Sequence, residues 1–335
     1  MKIIIPMAGR GTRLRPHTLT VPKPLIPVAG KPMVQRIVED LSAGVQEPIE
    51  EVAFIIGDFG KEVEAQLLQI AADLGAQGRI YHQDKPLGTA HAILCARESL
   101  QGPCIIVFAD TLFKADFRFD PAEEGIIWVQ KVEDPRPFGV VKVDAEGYIT
   151  DFVEKSPVFV SDLAIVGLYY VREGQTLRDE MQYLLDNDIK DKGEYQLTNA
   201  LENMKSKGYR FRAATIEEWL DCGNKDNVLY TNQRMLEIKK EVETLRHPDV
   251  QLENAQVIEP CYLGPGVVVR NSVVGPHVSI GDNSLVESSV IRNSLIQKHS
   301  VVRNAVLGNT MLGSHVTYEG RLADLSLGDY TMCKE

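Results

Sequence analysis

Residues 261–320 read CYLGPGVVVR NSVVGPHVSI GDNSLVESSV IRNSLIQKHS VVRNAVLGNT MLGSHVTYEG, and this stretch decides the fold of the C-terminal part of the chain. Apolar residues recur along it five or six positions apart, at Leu263, Val269, Val274, Ile280, Val286, Ile291, Ile296, Val302, Leu307, Leu312 and Tyr318. A helix or a hairpin does not produce this period, but a solenoid does, because each short strand forms one side of a coil. We therefore predict a parallel β-helix over residues 251–320.

The residues before about position 235 show a different pattern, in which short apolar runs alternate with helical segments. The predicted strands include Lys2–Ile5, Val52–Ile56, Arg79–His82, Ile105–Ala109 and Ile126–Val129. The predicted helices between them are Met33–Leu41, Lys61–Leu74 and Thr89–Leu100. Such alternation requires crossover connections, so it predicts an α/β domain with a mixed, mainly parallel sheet.

A charged segment, Asn224–Arg246, is predicted to form a long helix that leads out of this domain. His247-Pro248 should end it, since proline cannot continue a helix and restricts the residue before it. We thus expect four parts: a catalytic domain over residues 1–235, a linker helix over 236–250, the β-helix over 251–320 and a tail over 321–335.

The composition excludes several classes of function. The chain has 335 residues and a formal net charge of −11, so it lacks the broad basic surface that nucleic-acid binding requires. Its five cysteines show no C-x-x-C spacing, which is typical of a reducing compartment and gives no zinc site. No apolar stretch approaches the roughly 18 residues of a membrane span. We expect a cytoplasmic protein with neither nucleic acid nor membrane as a partner.

The first 38 residues reverse the sign of the overall charge. They contain seven basic residues and no acidic one, namely Lys2, Arg10, Arg13, Arg15, Lys23, Lys31 and Arg36. Several of these flank a glycine turn, residues 9–12, that follows the apolar run Ile3–Ile5. A strand that ends in such a turn suits a polyphosphate, because backbone N–H groups can approach its oxygens while fixed cations neutralise its charge. A dinucleotide fingerprint is not supported, since Leu14 stands where its third glycine should be.

The string A-G-R-G-T-R-L-R-P over residues 8–16, followed by P-K-P-L-I-P-V over residues 22–28, resembles a known family. It is similar to the sugar-1-phosphate nucleotidylyltransferases, in particular to the glucose-1-phosphate thymidylyltransferases that carry a C-terminal left-handed β-helix. The resemblance covers nearly the whole chain. It implies a Rossmann-like nucleotidyltransferase domain followed by a left-handed parallel β-helix. It also implies an enzyme that uses Mg²⁺ to transfer a nucleotidyl group from a nucleoside triphosphate to a sugar 1-phosphate.

The same resemblance implies roles for individual residues around the nucleotide. Arg13 would hold the β- and γ-phosphates, and Lys23 would neutralise charge at the reacting centre. The nucleotide-binding residues that it implies are Ala8, Gly9, Gly11, Thr12, Gln83 and Gly88. A glutamine amide offers one donor side and one acceptor side, which matches the edge of uracil or thymine, so Gln83 is expected to contact the base. His91, further along the same string, is expected to pack on its helix.

Two aspartates and a second group of residues would serve the metal and the sugar. Asp110 ends an apolar strand, and Asp221 lies in the string W-L-D-C-G over residues 219–223. Mg²⁺ takes one or two carboxylates from a protein besides phosphate oxygens and water, and the resemblance implies that these two bind it. For the sugar phosphate, the resemblance implies Gly139, Glu154, Lys155, Val166 and Gly167.

The chain departs from the family pattern at the glycine turn. A-G-R-G is one residue shorter than the A-G-G-x-G of the thymidylyltransferases and closer to the A-G-x-G of some uridylyltransferases. The nucleotide is therefore open between dTTP and UTP. Around Asp110 the family has glycine and asparagine, where this chain has Ala109 and Thr111.

Two alternatives use the same sequence differently. A non-catalytic regulatory subunit that senses nucleotide sugars would share the fold, but it would tolerate the loss of Lys23, Asp110 or Asp221, and none is lost. An acyltransferase built on the β-helix would need His277, His299 or His315 as a base, and the small number of coils argues against it. Because solenoid faces present extended surfaces, we also expect a homo-oligomer.

Overall fold

The computed structural model describes residues 1–9, 11–115, 117–321 and 331. Arg10, one of the basic residues of the glycine turn, lies outside the described residues, as does nearly all of the predicted tail. The chain divides into two compact units: the first contains residues 1–26 and 31–227, and the second contains residues 27–30 and the chain from 228 onward. The limits of 235 and 250 for the linker helix stay predictions.

Helices are interspersed with strands along the chain as far as Lys239. The helices are α1 (Met33–Gly44), α2 (Lys61–Asp73), α3 (Thr89–Cys95), α4 (Gly174–Asp186), α5 (Leu197–Ser206) and α6 (Lys225–Lys239). The strands up to Asp221 are β1 (Lys2–Pro6), β2 (Pro27–Val28), β3 (Lys31–Pro32), β4 (Glu51–Ile56), β5 (Gln77–His82), β6 (Cys104–Val107), β7 (Thr111–Lys114), β8 (Gly125–Lys131), β9 (Gly139–Val143), β10 (Ile149–Glu154), β11 (Leu163–Val171), β12 (Phe211–Thr215) and β13 (Glu218–Asp221). Within the described part of the chain, no helix has both the length and the apolar character needed to span a bilayer.

The remaining strands are short and follow one another closely. They are β14 (Gln251–Glu253), β15 (Gln256–Val257), β16 (Cys261–Leu263), β17 (Val268–Arg270), β18 (Val273–Val274), β19 (Val278–Ile280), β20 (Leu285–Glu287), β21 (Val290–Arg292), β22 (Ser294–Ile296), β23 (Val301–Arg303), β24 (Val306–Gly308), β25 (Met311–Leu312) and β26 (Thr317–Glu319).

The first unit is built on one mixed sheet with the strand order β10-β9-β11-β6-β1-β4-β5. β6, β1, β4 and β5 run parallel, whereas β11 pairs antiparallel with β6 and with β9. Off this path, β8 pairs with both β11 and β12. Ile3, Ile4 and Ile5 of β1 are fully buried, as a continuous apolar run is in a sheet covered on both faces. The predicted α/β fold class is confirmed.

Two helices end earlier than the sequence pattern predicts. α3 was expected to reach Leu100 but ends at Cys95, because Ala96 has a ψ of 32° and its amide donates to the Ile93 carbonyl in a tight turn. α6 ends at Lys239, well before the proline that was expected to stop the helix. The Val242 amide donates to the Lys239 carbonyl, so the last part of the predicted helix is a turn.

The second unit contains the left-handed parallel β-helix that the sequence predicts. Its strands form three parallel sheets, β14-β17-β20-β23-β26, β15-β18-β21-β24 and β16-β19-β22-β25. Val269 aligns with Val286, and Val286 aligns with Val302, so successive coils place one fully buried valine above another. Each stretch of about six residues in the repeat therefore forms one side of a three-sided coil.

Buried serines tie neighbouring coils together. The Ser272 hydroxyl accepts a hydrogen bond from the Ser289 amide at 3.0 Å, and the Ser289 hydroxyl accepts one from the Ala305 amide at 3.1 Å. The Ser284 hydroxyl accepts in the same way from the Ser300 amide at 3.1 Å. Since buried backbone N–H groups must find acceptors, these hydroxyls explain why small polar residues accompany the apolar period.

Gly275→Ala is expected to lower the free energy of unfolding by about 3 kcal/mol. Gly275 has a φ of +109°, and an added Cβ would lie 2.0 Å from the Ile258 carbonyl oxygen and 2.8 Å from the Cys261 Sγ. The carbonyl oxygen cannot yield without a shift of the coil backbone. Denaturant unfolding would measure the loss, with Gly313→Ala as the control, because a Cβ there would meet nothing within 4 Å. Equal stability of the two variants would contradict this prediction.

Candidate active site

The candidate site lies at the carboxyl ends of parallel strands in the first unit. β1 leads into the glycine turn, β5 leads into Gln83, and β6 leads into residues 108–110. The backbone amide of Gln83 donates to the Ile56 carbonyl at 2.8 Å, so the loop after β5 leaves the sheet beside the end of β4. Loops that follow parallel strands meet at one edge of the sheet, which is where α/β proteins bind their ligands.

A cavity of about 400 Å³ opens at this edge. It is lined by every residue predicted to bind the nucleotide and by both predicted catalytic cations: Ala8, Gly9, Gly11, Thr12, Arg13, Lys23, Gln83 and Gly88. Asp110 and Glu194 also contribute to the wall. The cavity therefore combines backbone that a ligand can approach with two cations and two carboxylates.

The glycine turn closes tightly over Lys23. Gly11 has a φ of +59°, and an added Cβ would lie 2.9 Å from the Cβ of Lys23. The Thr18 hydroxyl donates to the Gly11 carbonyl at 2.8 Å and holds the turn in place. A Cβ at Gly9 would instead meet nothing within 4 Å. The backbone conformation and the close approach of Lys23 thus require glycine at position 11, whereas Gly9 leaves open space for a ligand.

Lys23 is the buried cation of the site. Its side chain is 9% exposed, and its Nζ lies 3.4 Å from Oδ2 of Asp110, whose side chain is 49% exposed. Burial of an ammonium group is costly unless opposite charge compensates it. One half-exposed carboxylate at 3.4 Å compensates it weakly, so Lys23 is placed to interact with negative charge that enters the cavity.

A second cavity, of about 670 Å³, adjoins the first and shares Arg13, Thr89, Phe108, Asp110 and Glu194 with it. It is lined by the predicted sugar-phosphate residues and by the second predicted metal ligand: Gly139, Glu154, Lys155, Val166, Gly167 and Asp221. The two cavities together bring every predicted site residue to one region of the first unit.

β11 is irregular where it lines the second cavity. Its register with β8 shifts between Ile165 and Tyr169. Within this bulge, Gly167 has a φ of +85°, and its carbonyl accepts a hydrogen bond from the Phe108 amide at 3.0 Å. A bulge leaves residues outside the regular ladder and re-aims them. Val166 and Gly167 therefore leave the β8 ladder at the point where they line the cavity.

Glu154 and Lys155 end a hairpin strand in an unusual conformation. Lys155 has a φ of +42°, and its amide donates to the Phe138 carbonyl at 3.1 Å. Lys192, which the sequence did not single out, donates to the carbonyls of Lys155 at 2.7 Å and of Glu154 at 3.3 Å. The Thr198 hydroxyl donates to Glu154 Oε2 at 3.4 Å. These contacts hold the backbone of both residues and the carboxylate of Glu154, and no sequence motif reveals them.

Asp110 and Asp221 come together through a ribbon of two strands. β7 pairs antiparallel with β13, with Thr111 opposite Asp221, and the Cys222 amide donates to the Asp110 carbonyl at 3.1 Å. The Asn227 side chain donates to the Asp221 carboxylate. Among the described residues, no group of three or more His, Cys, Asp or Glu could hold a metal ion by itself. Two carboxylates nevertheless fit Mg²⁺, which completes its coordination with phosphate oxygens and water.

Gly223 marks the place where a guanidinium and a carboxylate approach each other. A Cβ added there would lie 2.8 Å from Asp221 Oδ2 and 3.4 Å from Arg13 Nη1. Arg13 therefore reaches the same corner of the second cavity as Asp221. This corner combines a fixed cation with a candidate metal ligand.

Aromatic residues form a further part of the second cavity that the sequence analysis missed. The rings of Phe138 and Trp219 lie 4.8 Å apart at an interplanar angle of 57°. Tyr169 lines the same cavity, and burial, reinforced by the negative charge of Glu154, raises the pKa of its phenol. The phenol is therefore protonated at neutral pH and can donate a hydrogen bond.

Gln83 and His91 are in contact, which the sequence did not indicate. His91 lies on α3, and its Nδ1 is 3.1 Å from the side-chain Nε2 of Gln83. Burial, with a smaller contribution from the positive charge of Lys85, lowers the pKa of His91. The expectation that His91 only packs on its helix is thus incomplete.

Two adjoining cavities that share a cation, Arg13, and two carboxylates suit an enzyme that brings two phosphorylated substrates together. Comparison with known families agrees with this class, since the model described as nucleotidyl transferase matches residues 2–238. The match covers more than half of the chain, and the chain belongs to the nucleotidyl transferase family. The predicted family and the predicted enzyme class are confirmed.

Two curated relatives are similar over most of the chain. The glucose-1-phosphate thymidylyltransferase of Streptomyces antibioticus is 29% identical over 306 residues, which cover 84% of this chain and 83% of the relative. The mannose-1-phosphate guanylyltransferase catalytic subunit beta of Xenopus tropicalis is 33% identical over 296 residues, which cover 84% of this chain and 74% of the relative. These relatives transfer different nucleotides by name, so they leave the base open.

A solved structure shows the same fold. The crystal structure of a UDP-glucose pyrophosphorylase complexed with UDP-glucose superimposes with a TM-score of 0.57 at 24% sequence identity. The superposition covers 71% of this chain and 98% of the other chain. At this identity the likeness shows the fold alone.

Proposed function

We propose that the protein transfers a nucleotidyl group from a pyrimidine nucleoside triphosphate, dTTP or UTP, to a sugar 1-phosphate, with glucose 1-phosphate as the first candidate. The products are a nucleoside-diphosphate sugar and pyrophosphate. The observation that carries this proposal is the pair of adjoining cavities, which have Arg13 and Asp110 in common. One cavity can hold the triphosphate and the other the sugar phosphate, so that the reacting groups meet at shared charges. Thymidylyl and guanylyl transfer by the relatives supports the reaction class.

The reaction brings two anions into line. A phosphate oxygen of the sugar 1-phosphate forms a bond to the α-phosphorus of the triphosphate. The bond from that phosphorus to the oxygen bridging the β-phosphate breaks, and pyrophosphate leaves with the electron pair. Positioning and electrostatic stabilisation are the main contributions that a protein can make to such a step.

Each charged residue that the sequence analysis singled out has a place in this reaction. Lys23, buried beside Asp110, neutralises charge at the reacting phosphate. Arg13, in the wall common to both cavities, holds the β- and γ-phosphates. Lys155 binds the phosphate of the sugar, while Glu154 accepts hydrogen bonds from sugar hydroxyls. The backbone of Gly139, Val166 and Gly167 completes the sugar site.

Asp110 and Asp221 are the residues that would hold Mg²⁺ in this proposal. The ion, when bound, neutralises phosphate charge and orients the phosphates. The paired strands β7 and β13 bring the two carboxylates to one cavity, and the donor set leaves coordination positions for phosphate oxygens. A homo-oligomer, expected from the solenoid, also stays a proposal.

Pyrophosphate release tests the proposed function. The protein would be incubated with Mg²⁺, a sugar 1-phosphate and each of dTTP, UTP, CTP, GTP and ATP, beginning with glucose 1-phosphate and then mannose 1-phosphate. Release with dTTP or UTP is expected, and Lys23→Ala and Asp110→Ala should abolish it. Pyrophosphate release with GTP alone would show that the nucleotide carries guanine and not a pyrimidine. If no nucleotide gave pyrophosphate release but nucleotide binding were retained, the result would favour a regulatory subunit that senses nucleotide sugars.

A further inference from the structure

The nitrogen end of the Gln83 side-chain amide faces a carbonyl oxygen and an imidazole nitrogen. Its Nε2 lies 3.1 Å from His91 Nδ1 and 3.5 Å from the Gly88 carbonyl oxygen. If the amide were rotated by 180°, its oxygen would face that carbonyl and the same ring nitrogen. A carbonyl oxygen can only accept, so the nitrogen end of the amide faces Gly88, and the N–H directed at His91 then requires a lone pair at Nδ1.

The backbone around His91 is held on both sides, which fixes the place of this residue on α3. The Ala90 amide donates to the Tyr195 carbonyl at 2.9 Å, and the Ala92 amide donates to the Gly88 carbonyl at 3.0 Å. Burial and the charge of Lys85 lower the pKa of His91, which keeps the ring neutral at neutral pH. A neutral ring that accepts at Nδ1 carries its proton on Nε2.

A fixed amide can read only one of the two patterns that nucleobases present. Uracil and thymine place a ring N–H donor beside a carbonyl acceptor, and guanine does the same with N1–H and O6. Cytosine and adenine place a ring acceptor beside an amino donor. The Oε1 of Gln83 can accept from the ring N–H of the first group. One N–H of the amide is directed at His91, and the other, held only by a long contact of 3.5 Å to the Gly88 carbonyl, can donate to the neighbouring carbonyl of the base. The second group requires the amide to be rotated.

We propose that His91 is a positioning residue that fixes the amide of Gln83 and so makes the nucleotide site select lactam bases, which are uracil, thymine and guanine, over the amino bases cytosine and adenine. This inference rests on the proposed function, because it takes the first cavity as the nucleotide site and Gln83 as the base contact. It holds whether the natural nucleotide is a pyrimidine or guanine, since the hydrogen-bonding edge is the same.

The test compares UTP with CTP in wild-type protein and in variants of His91. His91→Phe keeps a planar ring and removes the acceptor, so the ratio of kcat/KM for UTP over CTP is expected to fall about tenfold, the equivalent of 1.4 kcal/mol. His91→Asn returns an acceptor close to the position of Nδ1 and should restore most of the ratio. His82→Phe is the control, because His82 lies at the exposed end of β5 and pairs with Glu64. It should leave the ratio unchanged.

The dissociation constants of UTP and CTP, measured on the same variants, separate this inference from the proposed function. A wild-type protein that binds UTP better than CTP without turnover would contradict the proposed function and still allow the His91 comparison. A His91→Phe protein with the wild-type ratio, or with equal losses for both nucleotides, would overturn the role of His91. A wild-type preference for CTP or ATP would overturn it as well.

A measurement on the wild-type protein covers the case in which His91→Phe does not fold. Nitrogen-15 NMR of labelled histidines distinguishes the two neutral tautomers of the ring. We expect His91 to be protonated on Nε2 at neutral pH. Protonation on Nδ1 would turn the acceptor into a donor and overturn the proposal.

Discussion

Methionine in place of Lys23 is expected to lower kcat for pyrophosphate release about a hundredfold or more. The ammonium group is buried and lies 3.4 Å from Asp110, in the wall of the cavity proposed to hold the triphosphate. The reaction gathers negative charge at the transferred phosphate, and a preoriented cation stabilises it more in the transition state than in the bound substrate. The loss should therefore fall mainly on kcat, with a smaller change in KM. Steady-state kinetics with the best nucleotide of the panel would measure both constants.

The Lys23→Met protein should keep its fold, so that the kinetic loss can be attributed to the charge. Methionine fills much of the same space, and the carboxylate left behind at Asp110 is 49% exposed and remains hydrated. Lys31→Met is the matched control on the same segment. Its ammonium lies 2.7 Å from Glu39 Oε2 in a partly exposed ion pair, a kind of contact that contributes about 1 kcal/mol or less. Full activity in the Lys23 variant, or equal losses in both, would refute the role of Lys23.

The period of the apolar residues predicted the β-helix, because each side of a three-sided coil buries one apolar side chain. Val269, Val286 and Val302 follow this rule and are fully buried. Tyr318 keeps the spacing but is 41% exposed, since it lies on β26 at the end of its described sheet, which continues only towards β23. A local pattern therefore predicts the fold well where each coil has neighbours on both sides.

The residues that the sequence analysis expected in the site all line the two cavities, and most of them lie in short motifs at or just after the end of a strand. Their roles stay predictions. What the sequence could not reveal are contacts between motifs. His91 on α3 contacts Gln83, which lies eight residues earlier in the chain, and Lys192 donates to the Lys155 carbonyl from a loop that is distant in sequence. Such pairings depend on how loops cross at the edge of the sheet, and no periodicity encodes that path. The early end of α3 at Cys95 has the same origin, because a local turn overrides helix propensity.

Asn in place of Asp221 is expected to weaken divalent-cation binding at least about tenfold and to lower kcat by about a hundredfold or more. Asparagine has nearly the same shape and can still accept the hydrogen bond from Asn227, but it carries no charge. The dissociation constant of Mn²⁺, a spectroscopic substitute for Mg²⁺, would be measured by electron paramagnetic resonance with a non-hydrolysable triphosphate present. Glu217→Gln is the control, because Glu217 pairs with Lys114 beside the same two strands. An Asp221 variant with the wild-type constant would exclude Asp221 as a ligand.

Nucleotide binding without a divalent cation tests whether the two aspartates serve the cation or the fold of the site. Asp221 and Arg13 both lie beside Gly223, so the Asp221 carboxylate repels an incoming phosphate while it offsets the attraction of the guanidinium. Asp221→Asn should therefore bind the triphosphate as tightly as the wild type, or more tightly, when the cation is left out. Asp110→Asn also removes the partner of the buried Lys23 ammonium, so it should tighten metal-free binding further. Weaker metal-free binding in both variants would mean that the carboxylates serve the fold of the site instead of the cation.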